Sequence, residues 1–415
     1  TFCPDMEKWV MTVFNSYQWD LNYTNPAVFL SMLENLVELA NRGVDVIRFD
    51  ALAFLWKKIG TSSQNLREAH QLISLFRLCL QAAAPGVILL AEAIVAPREI
   101  VRYFGEDILE GNECEIAYHA TLMACLWNSI STKKTSLLRR SIQNMPPKPQ
   151  PCTWINYIRC HDDIGLGFED SQIAALGWNP QAHRRFLLDY FCQRLEWSPS
   201  KGAVFMYNPL TGDGRITGST ASLLGLEKAM EQGIEKNIRE AIDKILMLYG
   251  IILASPGIPL VYAGDELGTL NDYSYMRDPD KVNDSRWINR PMQDWEKAGK
   301  IEKDKSAPSS KIFSGLQHLI RLRKQLPVLA DRTQQLLHDP GNEHLLVFER
   351  GPGTEERILV VANFDEHPQV INASWLTRLG FIKEGSYRNL IDGDVNTVRS
   401  GLLEVAPFQL LWLSA

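Results

Sequence analysis

Three apolar stretches of the sequence end in side chains that could do chemistry. "DVIRFD" carries Arg48 and Asp50, "VILLAEA" carries Glu92, and "TWINYIRCHDDIG" carries His161, Asp162 and Asp163. Because side chains alternate along a strand, Arg48 and Asp50 point to the same side. A lone acid at the end of a buried strand is costly unless it is paired or used. The pattern predicts a site at the carboxyl ends of parallel strands, where such side chains meet.

Two carboxyl groups flanking a glycosidic bond are the equipment of a retaining glycosidase. In that chemistry Asp50 is the nucleophile, and the Arg48 guanidinium beside it favours the ionised carboxylate. Glu92, in a less polar setting, keeps a proton to give to the leaving group. Asp162 with His161 holds sugar hydroxyls and favours the positively charged transition state.

Each of these groups also has a structural interpretation. Arg48 and Asp50 alone could be an ion pair at a strand end, and Glu92 could cap the next helix. The run from His161 to Asp163 could be half of a metal site, but the sequence holds no second cluster of histidine and carboxylate. The coincidence of three acidic strand ends favours the catalytic interpretation.

The elements that would position these groups alternate between short apolar strands and helices. This order is typical of an α/β fold with a parallel sheet and helices packed outside it. The predicted strands are 44–49, 87–91, 115–118, 154–159 and 258–263, and the predicted helices are 27–42, 66–84, 120–130 and 235–253. Asn25 or Thr24 with Pro26 gives the first helix a start signal, and Gly43 gives it a stop.

Two later regions differ in composition. Residues 165–228 are dense in Gly, Pro, Ser and Asn, and we predict a long insertion of loops and short elements. From about residue 331, short alternating runs separated by turn signals predict a small antiparallel sandwich.

The composition limits the possible partners. The chain has 415 residues, is 45% hydrophobic and carries a formal net charge of −6, so neither nucleic acid nor a membrane is predicted as a partner. Seven cysteines without paired spacing predict neither a zinc site nor disulfides. They favour a reducing compartment, so we expect a cytoplasmic protein, while secretion stays open because the chain starts at Thr1.

The strings "RFD", "AEA" and "CHDD", in this order, resemble the fourth, fifth and seventh strand motifs of the alpha-amylase superfamily. Longer stretches such as "VFNSYQWDLNYTNP" and "YNPLTGDGRITG" resemble amylosucrases and their sucrose-hydrolysing relatives. The resemblance implies a (β/α)8 TIM barrel, incomplete here from about the fourth strand onward. It divides the chain into catalytic barrel (1–163), loop-rich inserted subdomain over the active site (164–229), barrel continuation with the eighth strand (230–328) and C-terminal antiparallel β-sandwich (329–415).

By this resemblance Asp50 is the nucleophile, Glu92 the acid/base and Asp162 the transition-state stabiliser. Other positions match residues at the glucosyl subsite or on the acceptor side: Arg48, His161, Arg286, Phe14, Glu113, Asp163, Arg184, Asn208 and Arg215. Arg286 closes the glucosyl pocket in this comparison, and we expect its acidic partner to lie outside this chain. Met206 departs from the usual glutamine of the family, and its side chain cannot hydrogen-bond as an amide does.

The implied activity is cleavage of sucrose through a covalent glucosyl-enzyme, with release of fructose and transfer of glucose to an alpha-glucan. The resemblance implies no metal and no cofactor. Sucrose hydrolysis, another alpha-glucosidase activity of the superfamily, and a non-catalytic sugar-binding or transporter-ancillary role stay open, as does the oligomeric state. Since five strands cannot close a barrel of eight, we expect this chain alone to be inactive.

Overall fold

The structure is a computed structural model that describes residues 1–107, 110–301 and 303–415. It contains two compact units. The first consists of Thr1–Tyr118 and Pro146–Trp154, and the second of His119–Met145 and Ile155–Ala415. Strand Thr153–Asn156 begins in the first unit and ends in the second.

The first unit has a parallel sheet with helices between its strands. Its elements are β1 Phe2–Cys3, β2 Lys8–Trp9, α1 Pro26–Asn41, β3 Val46–Phe49, α2 Arg67–Ala83, β4 Ile88–Ala91, α3 Pro97–Arg102, β5 Ile116–Tyr118 and the start of β6 Thr153–Asn156. Strand β3 pairs in parallel with β4, and β4 with β5. The backbone N–H of Thr153 continues this ladder by donating to Glu115 O at 2.8 Å.

Local sequence signals account for the first helix. The Asn25 side chain accepts a hydrogen bond from Ala27 N, and Pro26 occupies the first turn, as predicted. Gly43 ends the segment with a φ of +87°, a conformation that glycine adopts without steric cost. The buried face of α1 carries Phe29, whose ring stacks on Phe76 of α2 at 4.4 Å. These contacts pack the two helices side by side.

The second unit contains the end of β6, a series of helices and a mainly β C-terminal segment. Its elements are α4 Ala120–Thr132, α5 Ser136–Gln143, the end of β6, α6 Asp170–Ala174, α7 Pro180–Phe191, β7 Ala203–Asn208, β8 Asp213–Thr217, α8 Thr220–Leu223, α9 Leu226–Gln232, α10 Glu235–Ala254, β9 Ile258–Pro259, α11 Trp295–Ala298, α12 Pro308–Gln325, β10 Gln335–His338, β11 Leu345–Arg350, β12 Ile358–Asn363, β13 Gln369–Asn372, α13 Ala373–Leu379, β14 Ser386–Asn389, β15 Val395–Thr397, β16 Leu402–Val405 and β17 Leu410–Ser414. Ile155 of β6 pairs in parallel with Ile258 of β9.

The C-terminal region is the predicted antiparallel sandwich. A six-stranded sheet has the order β10-β11-β12-β17-β14-β15, and β13 pairs with β16 in a second sheet. Side chains of both sheets share one core, which includes Val361, Leu413 and Val405. Alternate positions along these strands therefore face a common interior.

The predicted strands and helices correspond to observed ones with small shifts at their ends. The largest differences are in β9, which ends at Pro259 and not at residue 263, and in β6, which ends at Asn156 and not at residue 159. Arg159 instead turns to a buried partner, Asp265. The predicted loop-rich insertion contains more regular structure than its composition indicated, including the 12-residue helix α7 and the β7–β8 hairpin. Its glycines mark turns and close packing: a Cβ at Gly202 would lie 2.7 Å from Leu223.

Among the described residues, no helix is both long enough and apolar enough to cross a membrane.

Candidate active site

Arg48 and Asp50 form the ion pair that their spacing predicts. Nη1 of Arg48 lies 2.8 Å from Oδ1 of Asp50, directly after the end of β3. The Asp50 side chain is 72% exposed, so its carboxylate is accessible to a ligand. The Arg48 guanidinium also lies over the Tyr118 ring, 5.8 Å from its centroid. The arginine is therefore held between an aromatic face and the candidate nucleophile.

Glu92 contacts the backbone of Ala51, the residue that follows Asp50. Its Oε2 accepts a hydrogen bond from the backbone N–H of Ala51 at 2.9 Å. The backbone supports this arrangement, because Glu92 N donates to Phe49 O at 3.0 Å and Leu52 N donates to Glu92 O at 3.2 Å. The Glu92 carboxylate therefore contacts the main chain of the residue that follows Asp50, at the ends of two paired strands.

Phe14 lies close to the chain segment that follows Asp50. Its ring contacts that of Phe54 edge-to-face, with centroids 5.4 Å apart, and it is 45% exposed. An exposed aromatic face at this place could stack against a sugar ring, as the resemblance implies.

In the second unit, His161 and Asp162 form a charged pair. Nε2 of His161 lies 3.0 Å from Oδ2 of Asp162. The hydrogen bond to Asp162, followed by one to Cys160, raises the pKa of His161 to about 9. Burial acts to raise the pKa of Asp162, but the hydrogen bond and charge of His161 and the charges of nearby arginines outweigh it and lower that pKa. Asp162 is therefore held ionised.

Two arginines contact the same carboxylate. Arg286 Nη1 lies 3.3 Å and Arg290 Nη2 lies 3.1 Å from Oδ1 of Asp162. Arg286 is oriented by Asp284, to which its Nε and Nη2 donate at 2.9 and 2.8 Å, and its guanidinium lies 4.5 Å from the centre of the Phe205 ring. Among the described residues Asp284 and Asp162 are both acidic partners of Arg286, and a further partner outside this chain stays a prediction.

Asp163 and Arg215 also approach one another. Their nearest charged atoms are 3.9 Å apart, a loose ion pair. Burial raises the pKa of Asp163, and the positive charge of Arg215 opposes this effect. These two predicted acceptor-side residues thus lie together, next to the His161–Asp162 pair along the chain.

Three other predicted site residues have local structural partners. Glu113 is only 3% exposed, and its carboxylate lies 2.9 Å from Nδ1 of His70, so it is shielded from any sugar. Arg184 donates to Asp170 at 2.8 Å and to the backbone oxygens of Leu166 and Phe168. Oδ1 of Asn208 accepts from the backbone N–H of Leu210 at 3.0 Å within the β7–β8 turn. The predicted roles of these three residues in sugar binding stay predictions.

Cys160, His161 and Asp162 form the only described cluster with candidate metal-binding atoms. These atoms all lie within 4.8 Å of one another. A cation there would have to displace or tolerate the guanidinium groups of Arg286 and Arg290, which already neutralise Asp162. The charge balance of this cluster therefore favours an anionic or neutral ligand over a metal ion.

Sequence reasoning missed Arg290, Asp284 and Ala51. Arg290 stands four residues after Arg286 in "SRWINR", and Asp284 stands two residues before it. Charged residues this close in the sequence to a predicted site residue indicate that they belong to the same site. The direction of each side chain depends on the 3₁₀ turn Ser285–Asn289, which no periodicity indicated. Ala51 acts through its backbone, and its side chain carries no signal.

Comparison with known proteins agrees with this description. The chain is 28% identical over 422 residues to the glucosylglycerate phosphorylase of Allomeiothermus silvanus, covering 99% of this chain and 66% of the relative. It is 28% identical over 282 residues to a trehalose synthase/amylase of Mycolicibacterium smegmatis, covering 68% of this chain and 41% of the relative. The chain thus spans less than two thirds of the length of either relative. No family model matches it.

Solved structures show the same fold. The sucrose 6F-phosphate phosphorylase of Thermoanaerobacter thermosaccharolyticum superimposes with a TM-score of 0.62 at 20% identity, over 84% of this chain and 62% of that one. An alpha-amylase from H. orenii gives a TM-score of 0.59 at 14% identity, over 97% of this chain and 67% of that one. These neighbours are TIM barrels of the alpha-amylase family. The curated relatives are enzymes of the alpha-amylase superfamily, and this chain is similar to them in sequence.

Proposed function

We propose that the full-length gene product containing this chain transfers alpha-glucosyl groups with retention of configuration, through a covalent intermediate on Asp50. The observation that carries the proposal is the contact between the Glu92 carboxylate and the backbone N–H of Ala51. It joins a second carboxyl group to the residue that directly follows Asp50 of the Arg48–Asp50 pair, which supports the proposal. Retaining glycosidases need two such groups, roughly 5 Å apart.

In the proposed reaction Asp50 attacks the anomeric carbon while Glu92 protonates the oxygen of the leaving group. The acceptor then donates its proton to Glu92 and displaces Asp50, so that the two inversions restore the starting configuration. Asp162, kept ionised by His161 and two arginines, would stabilise the positive charge that develops on the sugar. The assignment of Asp162 to this reaction comes from the strand-end pattern of the sequence.

More specifically, we propose that sucrose is the glucosyl donor and an alpha-glucan is the acceptor. These assignments come from the resemblance of the longer motifs to amylosucrases. A second candidate is phosphorolysis, in which phosphate is the acceptor. The alignment of 99% of this chain with a glucosylglycerate phosphorylase favours it. Both candidates use the same glucosyl-enzyme and differ only in donor and acceptor.

Assays with several glucosyl donors and acceptors distinguish the two candidate activities. The full-length gene product is incubated with sucrose, trehalose or glucosylglycerate, each with water alone, with phosphate or with a short alpha-glucan. Glucose 1-phosphate formed only with phosphate identifies a phosphorylase. Fructose release with glucan elongation identifies the amylosucrase-like activity, and free glucose identifies a hydrolase. Absence of turnover with every donor, or a product of inverted configuration, would refute the proposal.

A further inference from the structure

Ala51 has an unusual backbone conformation at the candidate active site. Its φ and ψ angles are 52° and 36°, in the left-handed region. For a residue with a Cβ this conformation is sterically unfavourable. Such strain persists where the surrounding contacts require it, and it clusters at functional sites. Ala51 follows the candidate nucleophile directly, so the strained residue lies between Asp50 and the rest of the loop.

The conformation of Ala51 directs its N–H towards Glu92. This N–H donates to Oε2 at 2.9 Å, while the N–H of Leu52 donates to the backbone oxygen of the same glutamate. Phe49 O accepts from Glu92 N at 3.0 Å. Residues 49–52 therefore bind Glu92 through its main chain and its side chain together.

We propose that the backbone N–H of Ala51 is a positioning group that determines which oxygen of Glu92 carries the catalytic proton. An N–H group can only donate, so the oxygen that it contacts must offer a lone pair. Because the carbonyl oxygen of a neutral carboxyl accepts more strongly than its hydroxyl oxygen, this hydrogen bond favours the acid-form proton on Oε1, the oxygen that we assign to the leaving group. The same hydrogen bond stabilises the carboxylate form that the second step of the reaction requires. This inference rests on the proposed function.

The test removes this one donor. Ala51 is replaced by lactic acid, its α-hydroxy counterpart, through amber suppression in the full-length gene product. The resulting ester lacks only the N–H. We expect kcat/KM for the cleaved glucoside to fall by about 10- to 100-fold, since hydrogen bonds to charged groups are of that strength. We also expect the alkaline limb of the pH profile to move up by about one pH unit, because the carboxylate loses a stabilising donor.

Two control variants distinguish an effect on the position of the Glu92 carboxyl from an effect on the stability of the protein. Replacing Leu52 by its own α-hydroxy acid removes the neighbouring hydrogen bond to the backbone oxygen of Glu92, and should lower Tm without moving the alkaline limb. Ala51→Gly keeps the N–H and relieves the strain, and should keep the wild-type pH profile. If the ester at residue 51 lacks turnover, ¹³C NMR titration of the Glu92 carboxyl, assigned with Glu92→Gln, reports the same upward shift.

The outcomes are distinguishable. If Glu92→Gln keeps full activity, the proposed function itself fails. If Glu92→Gln is inactive but the ester at residue 51 leaves both the alkaline limb and the NMR titration unchanged, only the present inference is overturned. An equal shift in the Leu52 ester would also overturn it, because the effect would then follow from general loosening of the turn.

Discussion

Arg159 and Asp265 form a buried bidentate ion pair, with Nη2 of Arg159 2.6 Å from Oδ1 of Asp265 and side chains only 2% and 0% exposed. Tyr249 Oη and Thr220 Oγ1 each donate to Oδ2 of Asp265 at 2.6 Å. Arg159 also donates to the backbone oxygen of Asn289 at 3.0 Å. Since the Asn289 side chain donates to His161 O, this pair connects the segment after β6 that carries His161 to the turn Ser285–Asn289, which contains Arg286 and precedes Arg290.

The buried pair predicts a large, asymmetric effect on stability. Asp265→Leu should lower the free energy of unfolding by about 3–5 kcal/mol, because it leaves the Arg159 charge buried without its partner. The double variant Arg159→Met/Asp265→Leu should recover most of that loss. Glu38→Gln is the matched surface control: it breaks an exposed ion pair with Arg42 and should change stability by about 0.5 kcal/mol or less. Urea unfolding measures all four proteins, and an equal effect of the surface and buried changes would contradict the prediction.

Substitution of the acids should separate catalytic from structural carboxyl groups. Glu92→Gln in the full-length gene product should reduce kcat by about 10²- to 10⁴-fold, because the acid/base is lost while shape is kept. Glu113→Gln is the control, since this carboxyl is buried against His70. It should affect Tm more than kcat. Steady-state kinetics and thermal unfolding of both variants test this prediction. A larger loss of kcat from Glu113→Gln than from Glu92→Gln would contradict the catalytic role of Glu92.

His161 should titrate far above an ordinary histidine. Its pKa is raised from 6.5 to about 9, chiefly by the hydrogen bond to Asp162. A raised pKa in the folded state means that this pair stabilises the protein fully below about pH 6.5 and loses its contribution as the pH rises through 9. In Asp162→Asn the pKa should fall towards 6.5. Histidine ¹⁵N NMR measures both values, and an unchanged pKa in Asp162→Asn would show that another group causes the shift.

Gly250 should be intolerant of larger side chains. A Cβ at this position of α10 would lie 2.0 Å from Cδ2 of Leu410 in β17, the flexible end of that side chain. Gly250→Val should therefore destabilise the protein by about 1–3 kcal/mol through overpacking. Adding Leu410→Ala should recover part of the loss, which would demonstrate the contact by a double-mutant cycle. A Cβ added at Gly43 would have no other atom within 4 Å, so any cost of Gly43→Ala would come from its positive φ alone.

Much of this molecule follows from local sequence. The alternation of apolar runs predicted β3, β4, β5 and β9 in order, because buried parallel strands must be apolar on both faces. The start of α1 followed from Asn25 and Pro26, whose capping chemistry acts within one turn. The ion pair of Arg48 with Asp50 followed from their spacing of two residues along a strand.

The partners of the other charged groups required the folded chain. Glu113 and Arg184 are predicted binding residues by resemblance, and the sequence does not indicate the partners that they contact in the structure, His70 and Asp170. The contact of Arg286 and Arg290 with Asp162 joins residues more than 120 positions apart.

The sequence alone thus determined which acids stand at strand ends and which chemistry such acids can do. The tertiary structure decided which oxygen of Glu92 meets the N–H of Ala51, and which arginines surround Asp162. The physical reason is the distance along the chain over which each kind of interaction acts. Strand periodicity and helix capping act between residues a few positions apart, whereas the direction of a hydrogen bond between distant segments depends on the packing of all the elements between them.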